Sequence, residues 1–311
     1  MAAQTPTTEL EGAFVWDSGR SFAARWRRGI LRFIRTQPLG TAALVIILGM
    51  LFLAVFAAQV NTEDPTEFGQ DILASPGSDH WLGTNRQGQD VWSRVVYGAR
   101  PALQIGVGAV AVSLVVATVL ALLAGFLGGI VDMIISRAID ILICLPAILW
   151  ALVIQTSAND IPGLEARGVR TLIIAISIGF VPIIARILRG NVLQERSRPY
   201  IESARVIGAS EWRIMFAHIL PNLAPLLIIV ATATLPAAIA AEAGLSFLGL
   251  GLEPGAASWG ADLGGQNRTL FRTYWWLPVF PGIALSLAVL AFNLLGDSLR
   301  DTLDPRLRGV R

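Results

Sequence analysis

The sequence contains no lysine, because all 24 of its basic residues are arginine. A P-loop nucleotide site needs a lysine on the nucleotide phosphates, so this chain carries no ordinary site of that kind. Its single cysteine, Cys144, excludes a disulfide within the chain. Charged residues make up only 15% of the 311 residues, whereas a typical soluble domain has about a quarter. These absences exclude an ordinary ATPase, and they argue against a large soluble domain.

Apolar residues dominate instead. They make up 54% of the chain, and the mean hydropathy is +0.62. A helix needs about 20 apolar residues to cross the hydrocarbon core of a bilayer. Six segments meet or approach this length, and the sequence therefore predicts an all-α polytopic membrane protein with six transmembrane helices. The segments are 39–60, 102–131, 141–159, 171–188, 219–241 and 274–296.

The distribution of arginine predicts the orientation of these spans. If the N-terminus is cytoplasmic, the inside segments hold 17 arginines and the outside segments hold 7. Basic residues concentrate on the cytoplasmic side of a membrane protein, so both termini are expected inside. The predicted organisation is a cytoplasmic segment over 1–38, a first span over 39–60, an external segment over 61–101, a core over 102–296 and a cytoplasmic tail over 297–311. Tyr274, Trp275 and Trp276 are interpreted as anchors at the outer interface.

One polar stretch, residues 198–221, interrupts the apolar core on the predicted cytoplasmic side. Pro199 is suited to the first position of a helix, Gly208 permits a tight turn, and Ser210 can cap a second helix. Trp212, Met215, Phe216 and Ile219 have the spacing of one apolar helix face. The pattern predicts two short helices joined by a turn at the membrane surface. By spacing alone, an amphipathic loop that merely packs on the bilayer is the preferred interpretation.

The residues of this hairpin resemble the signature loop of ABC importer permeases. Glu202, Ser203, Ala204, Gly208 and the His218–Pro221 stretch keep the spacing of that loop, with Ser203 and His218 as departures. Three further stretches are similar to the second permease subunit of the dipeptide/oligopeptide family, and Asn85, Gln89 and Pro101 are departures within the first. The stretches begin HWLGTN at 80, GLSFLGLG at 244 and NLLGDSL at 293.

The resemblance implies the type I permease fold and a non-catalytic transport subunit in a bacterial cytoplasmic membrane. The implied partners are a homologous permease, two ABC ATPases, an external solute-binding protein and membrane lipid, with no nucleic acid. ATP and magnesium would be held by the ATPases, with no cofactor or metal in this chain. A coupling loop over 189–218 would dock on the ATPase. The residues expected to couple are Arg198, Tyr200, Glu202, Ala204, Arg205, Gly208, Ala209, Trp212 and Pro221.

The external loop 242–273 is rich in glycine and unusually apolar for a surface loop. Non-helical backbone at membrane depth persists only where it is buried in protein or lines a cavity. We therefore expect this loop to fold back as a plug or gate over the transport path, formed by Leu245, Phe247, Leu248 and Trp259. An ordinary surface turn is the alternative.

Two other classes of membrane protein fit less well. A secondary transporter or channel usually has ionisable residues at mid-membrane, and the predicted spans contain almost none. Asp140, near the inner end of the third span, is expected to pair with Arg137. An intramembrane enzyme would need a nucleophile with its base or a set of metal ligands, and the sequence contains neither HExxH nor GxSxG.

Overall fold

A computed structural model describes residue 34, residues 36–61 and residues 63–303. The described residues form helices joined by loops and contain no strand, which confirms the all-α prediction. Most of the predicted segment 1–38 and the last residues of the tail, 304–311, lie outside the described residues. We number the helices α1 to α9 along the chain. Their bounds are α1 Pro38–Val60, α2 Val91–Leu127, α3 Gly129–Cys144, α4 Ala147–Ser157, α5 Val169–Arg196, α6 Pro199–Val206, α7 Glu211–Phe247, α8 Trp259–Leu263 and α9 Trp276–Leu303.

Five of these helices (α1, α2, α5, α7 and α9) are long and apolar enough to cross a membrane. The pair α3 and α4 supplies a sixth span if it is counted as one unit. The described part of the chain therefore fits the six-span prediction, with differences in where several spans begin and how one of them is built.

The second span begins earlier than predicted, at Val91 rather than at residue 102. Asp90 caps it, because the Asp90 side chain accepts a hydrogen bond from the Ser93 backbone N–H at 2.8 Å. Pro101, at the end of the predicted external segment, lies within the helix. The last part of the predicted external segment 61–101 is therefore helical. The helix ends at Leu127 in a π-helical turn.

The third span differs from the single segment predicted over 141–159, because a bent pair of helices stands in its place. Helices α3 and α4 meet at an angle of 88°. The break lies at Leu145 and Pro146, where Leu145 is extended. Proline lacks an N–H for the helix and disfavours helical backbone at the residue before it, so the chain turns there. Asp140, in the last turns of α3, lies 3.9 Å from the expected partner Arg137, but its nearer partner is Arg186 of α5.

The fifth span also extends beyond its predicted bounds. Helix α7 runs continuously for 37 residues, so it contains the second helix of the hairpin at its start and the first residues of the predicted external loop at its end. Its segment Ile214–Ile219 is π-helical. The hairpin is thus joined to a transmembrane helix without a break.

The core is formed mainly by α2 packed against α5, with α7 and α9 beside them and α1 against α9. Small polar residues bring α2 and α5 together. The Ser177 hydroxyl donates to the Ala109 carbonyl across the two helices at 3.1 Å, and the Ser113 hydroxyl lies 3.3 Å from the Ser177 carbonyl. Such contacts are typical of helices that associate within a membrane. This scaffold places the hairpin at one end of the helices and the predicted plug at the other.

Candidate functional site

The hairpin consists of α6, a turn at Gly208 and the start of α7. Gly208 has φ of +83°, a left-handed conformation that glycine adopts readily and other residues rarely do. Ser210 caps the start of α7, since its hydroxyl accepts a hydrogen bond from the Arg213 N–H at 3.3 Å. The predicted helix, turn and helix are confirmed.

One side of the hairpin is buried in the core at its end of the helices. Five of its residues are almost fully inaccessible to solvent, namely Ile201, Ala204, Ile214, Met215 and Ile219. They pack with Phe126 of α2 and with Leu188 and Val192 of α5. The hairpin is therefore joined to the helical scaffold through this side.

Tyr200 fastens this arrangement through its hydroxyl. It donates a hydrogen bond to Glu195 at the end of α5 and accepts one from Asn222 in α7, both at 2.8 Å. Burial and the hydrogen bond to Glu195 raise the pKa of Tyr200, so the phenol keeps the proton that it donates. Arg205 of α6 lies 3.4 Å from Glu211 of α7, which links the two arms of the hairpin. The position of the turn is thus fixed by both neighbouring helices.

The end of the hairpin presents apolar side chains to the outside. Val206 is 82% exposed and Ile207 is 84% exposed. Trp212 and Phe216 are also exposed and stack with their ring centroids 6.1 Å apart. We call these four residues the hairpin tip. Exposed apolar groups on a rigid support mark surfaces of interaction.

The coupling residues predicted from sequence divide between the two sides of the hairpin. Tyr200, Ala204 and Ala209 face or border the core, whereas Arg198, Glu202, Arg205, Trp212 and Pro221 are exposed. The prediction that Trp212, Met215, Phe216 and Ile219 share one face was wrong. Met215 and Ile219 are buried while Trp212 and Phe216 are exposed, because the turn there is π-helical and does not follow the 3.6-residue spacing.

At the other end of the molecule, the chain after α7 folds back against the helix that it has just left. Short helix α8 crosses α7 so closely that a Cβ atom at Gly260 would lie 2.2 Å from the Ala243 carbonyl oxygen. A Cβ atom at Gly264 would lie 2.3 Å from the Phe247 carbonyl oxygen. Glycine is required for this approach, which explains part of the glycine content of the loop. The expectation that the loop folds back is confirmed.

Buried polar groups hold the returning segment in place. Glu242 is 1% exposed and accepts hydrogen bonds from the hydroxyls of Ser246 and Ser258, at 2.8 and 3.0 Å. The Gln155 side chain of α4 donates to the Leu250 carbonyl at 2.5 Å. The Trp259 indole donates to the Val95 carbonyl of α2 at 2.9 Å. Contacts from three helices therefore determine the course of the loop.

The four predicted gate residues occupy two environments. Leu245 and Trp259 are buried in the helix packing, while Phe247 and Leu248 lie at the surface. Phe247 lines a cavity of about 540 Å³ between α7, α8 and α9, and the Arg268 guanidinium lies 5.3 Å from the centre of its ring. Ser286 is the one polar residue among the other described lining residues of this cavity, which include Ala240, Ala243, Gly244, Leu263 and Leu285. A gate role for these residues stays a prediction.

Sequence reasoning missed several residues at both ends. Val206 and Ile207 precede the glycine turn, and their position at the end of a helix was the available signal for exposure. Glu242 is the lone acid in an apolar run, which could have marked it as buried. Trp276 was interpreted as an interfacial anchor, but it is buried and donates to the Thr84 carbonyl at 3.2 Å. Trp275 is 55% exposed, as an anchor would be.

Comparison with known proteins places the chain among transport proteins. The family described as binding-protein-dependent transport system inner membrane component matches residues 117–309. The glutathione transport system permease protein GsiD of Pectobacterium atrosepticum is 38% identical over 291 residues, which cover 93% of this chain and 94% of that protein. The dipeptide transport system permease protein DppC of Alkalihalophilus pseudofirmus is 37% identical over 91% and 90% of the two chains. The probable D,D-dipeptide permease DdpC of Escherichia coli is 35% identical over 89% and 90%.

The matched residues include the hairpin, the loop that folds back after α7, and the long helices α5, α7 and α9. The similarity to the relatives extends over almost the whole length of both chains. The chain is thus a multi-pass membrane protein that belongs to the inner-membrane permease components of binding-protein-dependent ABC transport systems.

Proposed function

We propose that this chain is one of two permease subunits in an ATP-driven importer of short peptides. The relatives carry names for glutathione, dipeptide and D,D-dipeptide transport, and all three substrates are short peptides. A homologous permease would complete the path, two ABC ATPases would supply ATP and magnesium, and an external binding protein would deliver the peptide. The chain itself would bind no nucleotide, in line with its lack of lysine.

The observation that carries this proposal is the hairpin tip on its rigid support. A contact that couples ATP hydrolysis to transport must transmit movement of the ATPase to the helices. The hairpin that makes this contact must therefore be rigid. The buried residues of the hairpin and the Tyr200 hydrogen bonds provide that resistance. The exposed side chains of Val206, Ile207 and Trp212 supply an apolar contact for a groove on the ATPase.

The outer loop would act at the other end of the path. Phe247 and Leu248 lie at the surface beside the cavity between α7, α8 and α9. In this proposal they close the path against the outside until the ATPases bind ATP and the helices rearrange. The hairpin would then lie in the cytoplasm and the loop outside, with both chain termini cytoplasmic, as the arginine distribution favours.

The test is reconstitution of the complete transporter in proteoliposomes. We expect ATP-dependent uptake of a radiolabelled dipeptide that requires this chain and the external binding protein. A complex whose ATPases carry an alanine in place of the P-loop lysine is the control, and it should assemble without transport. ATP hydrolysis by this chain when purified alone, or dipeptide uptake that needs an ion gradient and no ATP, would contradict the proposal.

A further inference from the structure

Arg94 occupies the point where both external segments meet helix α2. It is 5% exposed. Its guanidinium contacts Asp262 of α8 at 2.7 Å, the Gly255 and Ala256 carbonyls of the outer loop at 3.1 Å, and, on the other side, the Pro65 carbonyl at 2.9 Å. One planar cation therefore joins two stretches of chain that are more than 150 residues apart.

The first of these stretches, residues 63–90, is fixed to Arg94 through a second route. The Gln89 side chain, 3% exposed, accepts from Arg94 at 3.0 Å and donates to the Thr66 carbonyl at 3.1 Å. Gln89 also accepts a hydrogen bond from Asn85 at 2.9 Å. A displacement of this external segment would therefore be passed to Arg94 through side-chain and backbone contacts alike.

The outer loop has further supports besides Arg94. Glu242 holds Ser258, and Gln155 holds the Leu250 carbonyl. Between these points, the Gly255 and Ala256 carbonyls are held by Arg94. A guanidinium has five N–H donors in a fixed plane, which a lysine ammonium cannot reproduce. The position of the Gly255–Ala256 segment therefore depends on the Arg94 side chain.

We infer that Arg94 is a positioning residue for the outer gate, which links the external segment 63–90 to the loop carrying Phe247 and Leu248. In the proposed importer, on which this inference rests, a binding protein that lands on the external segment would move the loop through Arg94. Loss of the link should leave transport machinery that assembles and hydrolyses ATP but responds poorly to its binding protein.

The first test measures the position of the loop directly. Nitroxide labels are attached at Gln87→Cys and Glu253→Cys, two exposed sites on the segment and the loop, in a Cys144→Ala background with partner subunits free of reactive cysteines. The distance between the labels is measured by double electron–electron resonance in the assembled complex. We expect one narrow distance distribution in the parent protein and a broad one when Arg94 is replaced.

The choice of variant separates positioning from folding. Arg94→Met alone would leave the Asp262 carboxylate buried without its partner, which destabilises a protein for reasons unrelated to the gate. The double variant Arg94→Met/Asp262→Asn removes both charges and should fold. Arg94→Lys keeps the charge pair but loses the planar set of donors, so it should restore thermal stability without restoring the narrow distance.

Arg100 offers a matched control on the same helix. Its guanidinium donates to the Ala54 and Val55 carbonyls of α1, and its hydrogen bonds to other described residues do not include the outer loop. Arg100→Met removes an arginine that also bonds backbone carbonyls, but it should leave the distance between the labels narrow.

The second test measures ATP hydrolysis in proteoliposomes with and without the purified external binding protein. For the double variant, we expect the ratio of stimulated to basal rate to fall about fivefold or more, the range of a typical coupling between two sites. A parent complex that shows no stimulation would overturn the proposed function and this inference with it. A stimulated parent together with an unchanged ratio and a narrow distance in the double variant would overturn this inference alone.

Discussion

Gly208 shows how a single backbone conformation supports the hairpin. Its φ of +83° lies in the left-handed region, and a Cβ atom built there would meet no atom within 4 Å. A substitution at this position therefore acts through backbone strain and not through a clash. A β-branched residue in this conformation costs about 1–2 kcal/mol.

We expect Gly208→Val to distort the hairpin tip while the transmembrane core stays folded. Recovery of the ATPases when the complex is purified through this chain should fall, and uptake should fall with it. Gly190→Val is the matched control, because Gly190 also has open space for a Cβ but lies in ordinary helical backbone of α5. Equal recovery from both variants would show that the conformation of Gly208 is not needed for docking.

Substitutions near the turn can also test the contribution of side chains to ATPase binding without changing the backbone conformation. Ile207, the residue that follows α6, is among the most exposed apolar residues of the described chain, and Glu202 is an exposed acid in the first turn of α6. We expect Ile207→Ser and Glu202→Lys each to weaken association with the ATPases several-fold without lowering the melting temperature of the chain. Removal of buried apolar area at an interface costs about 25 cal/mol for each Å² that is lost.

Leu193→Ser, at a partly exposed site on α5, is the control for the serine variant. A hairpin that merely packs on lipid would tolerate Glu202→Lys, because a surface charge facing water or headgroups contributes little. If Ile207→Ser and Glu202→Lys both bound the ATPases as tightly as the parent, the coupling role would be refuted.

Helix α8 and the end of α7 pack together, and the predicted gate residues on them differ in burial. Trp259 is 3% exposed and bonded to α2, whereas Phe247 and Leu248 lie at the surface. Truncation of a buried tryptophan costs about 3–5 kcal/mol in cores. We therefore expect Trp259→Ala to lower the melting temperature and the yield of the complex.

The pair Phe247→Ala/Leu248→Ala should have a different effect. Both side chains are at the surface, so the complex should assemble and melt as the parent does. If the two residues close the path, the variant should hydrolyse ATP faster without binding protein, or leak dipeptide. Assembly with parental basal and stimulated rates would indicate an ordinary surface turn.

The orientation of the helices in the membrane can be tested by cysteine labelling at the two ends of the molecule. A cysteine at Glu253, in a Cys144→Ala background, should react with a membrane-impermeant maleimide in intact cells, because the site is exposed in the outer loop. A cysteine at Ser197, an exposed site before the hairpin, should react only after the cells are permeabilised. The reverse pattern of labelling would invert the proposed topology.

Local features of the sequence were predicted well because their causes are local. The turn at Gly208 and the Ser210 cap depend on neighbouring residues, and the long spans depend on continuous apolar runs. The bend at Pro146 has a local cause as well, but the apolar run continued past it and concealed the break. By contrast, the contacts of Arg94, Gln155 and Glu242 with the outer loop join different elements. No pattern in one stretch of sequence specifies such contacts, so the supports of the candidate gate became visible only in the structure.

The continuity of α7 has a mechanical consequence. The hairpin tip includes residues in its first turns, and Phe247 is its last residue. At about 1.5 Å per residue, its 37 residues form a lever about 55 Å long. If the fulcrum lies near the middle, a tilt of about 5° moves the two ends about 2 Å in opposite directions. Where the helix tilts as one body, a push on the hairpin end would then reach the loop end as a displacement of the same size.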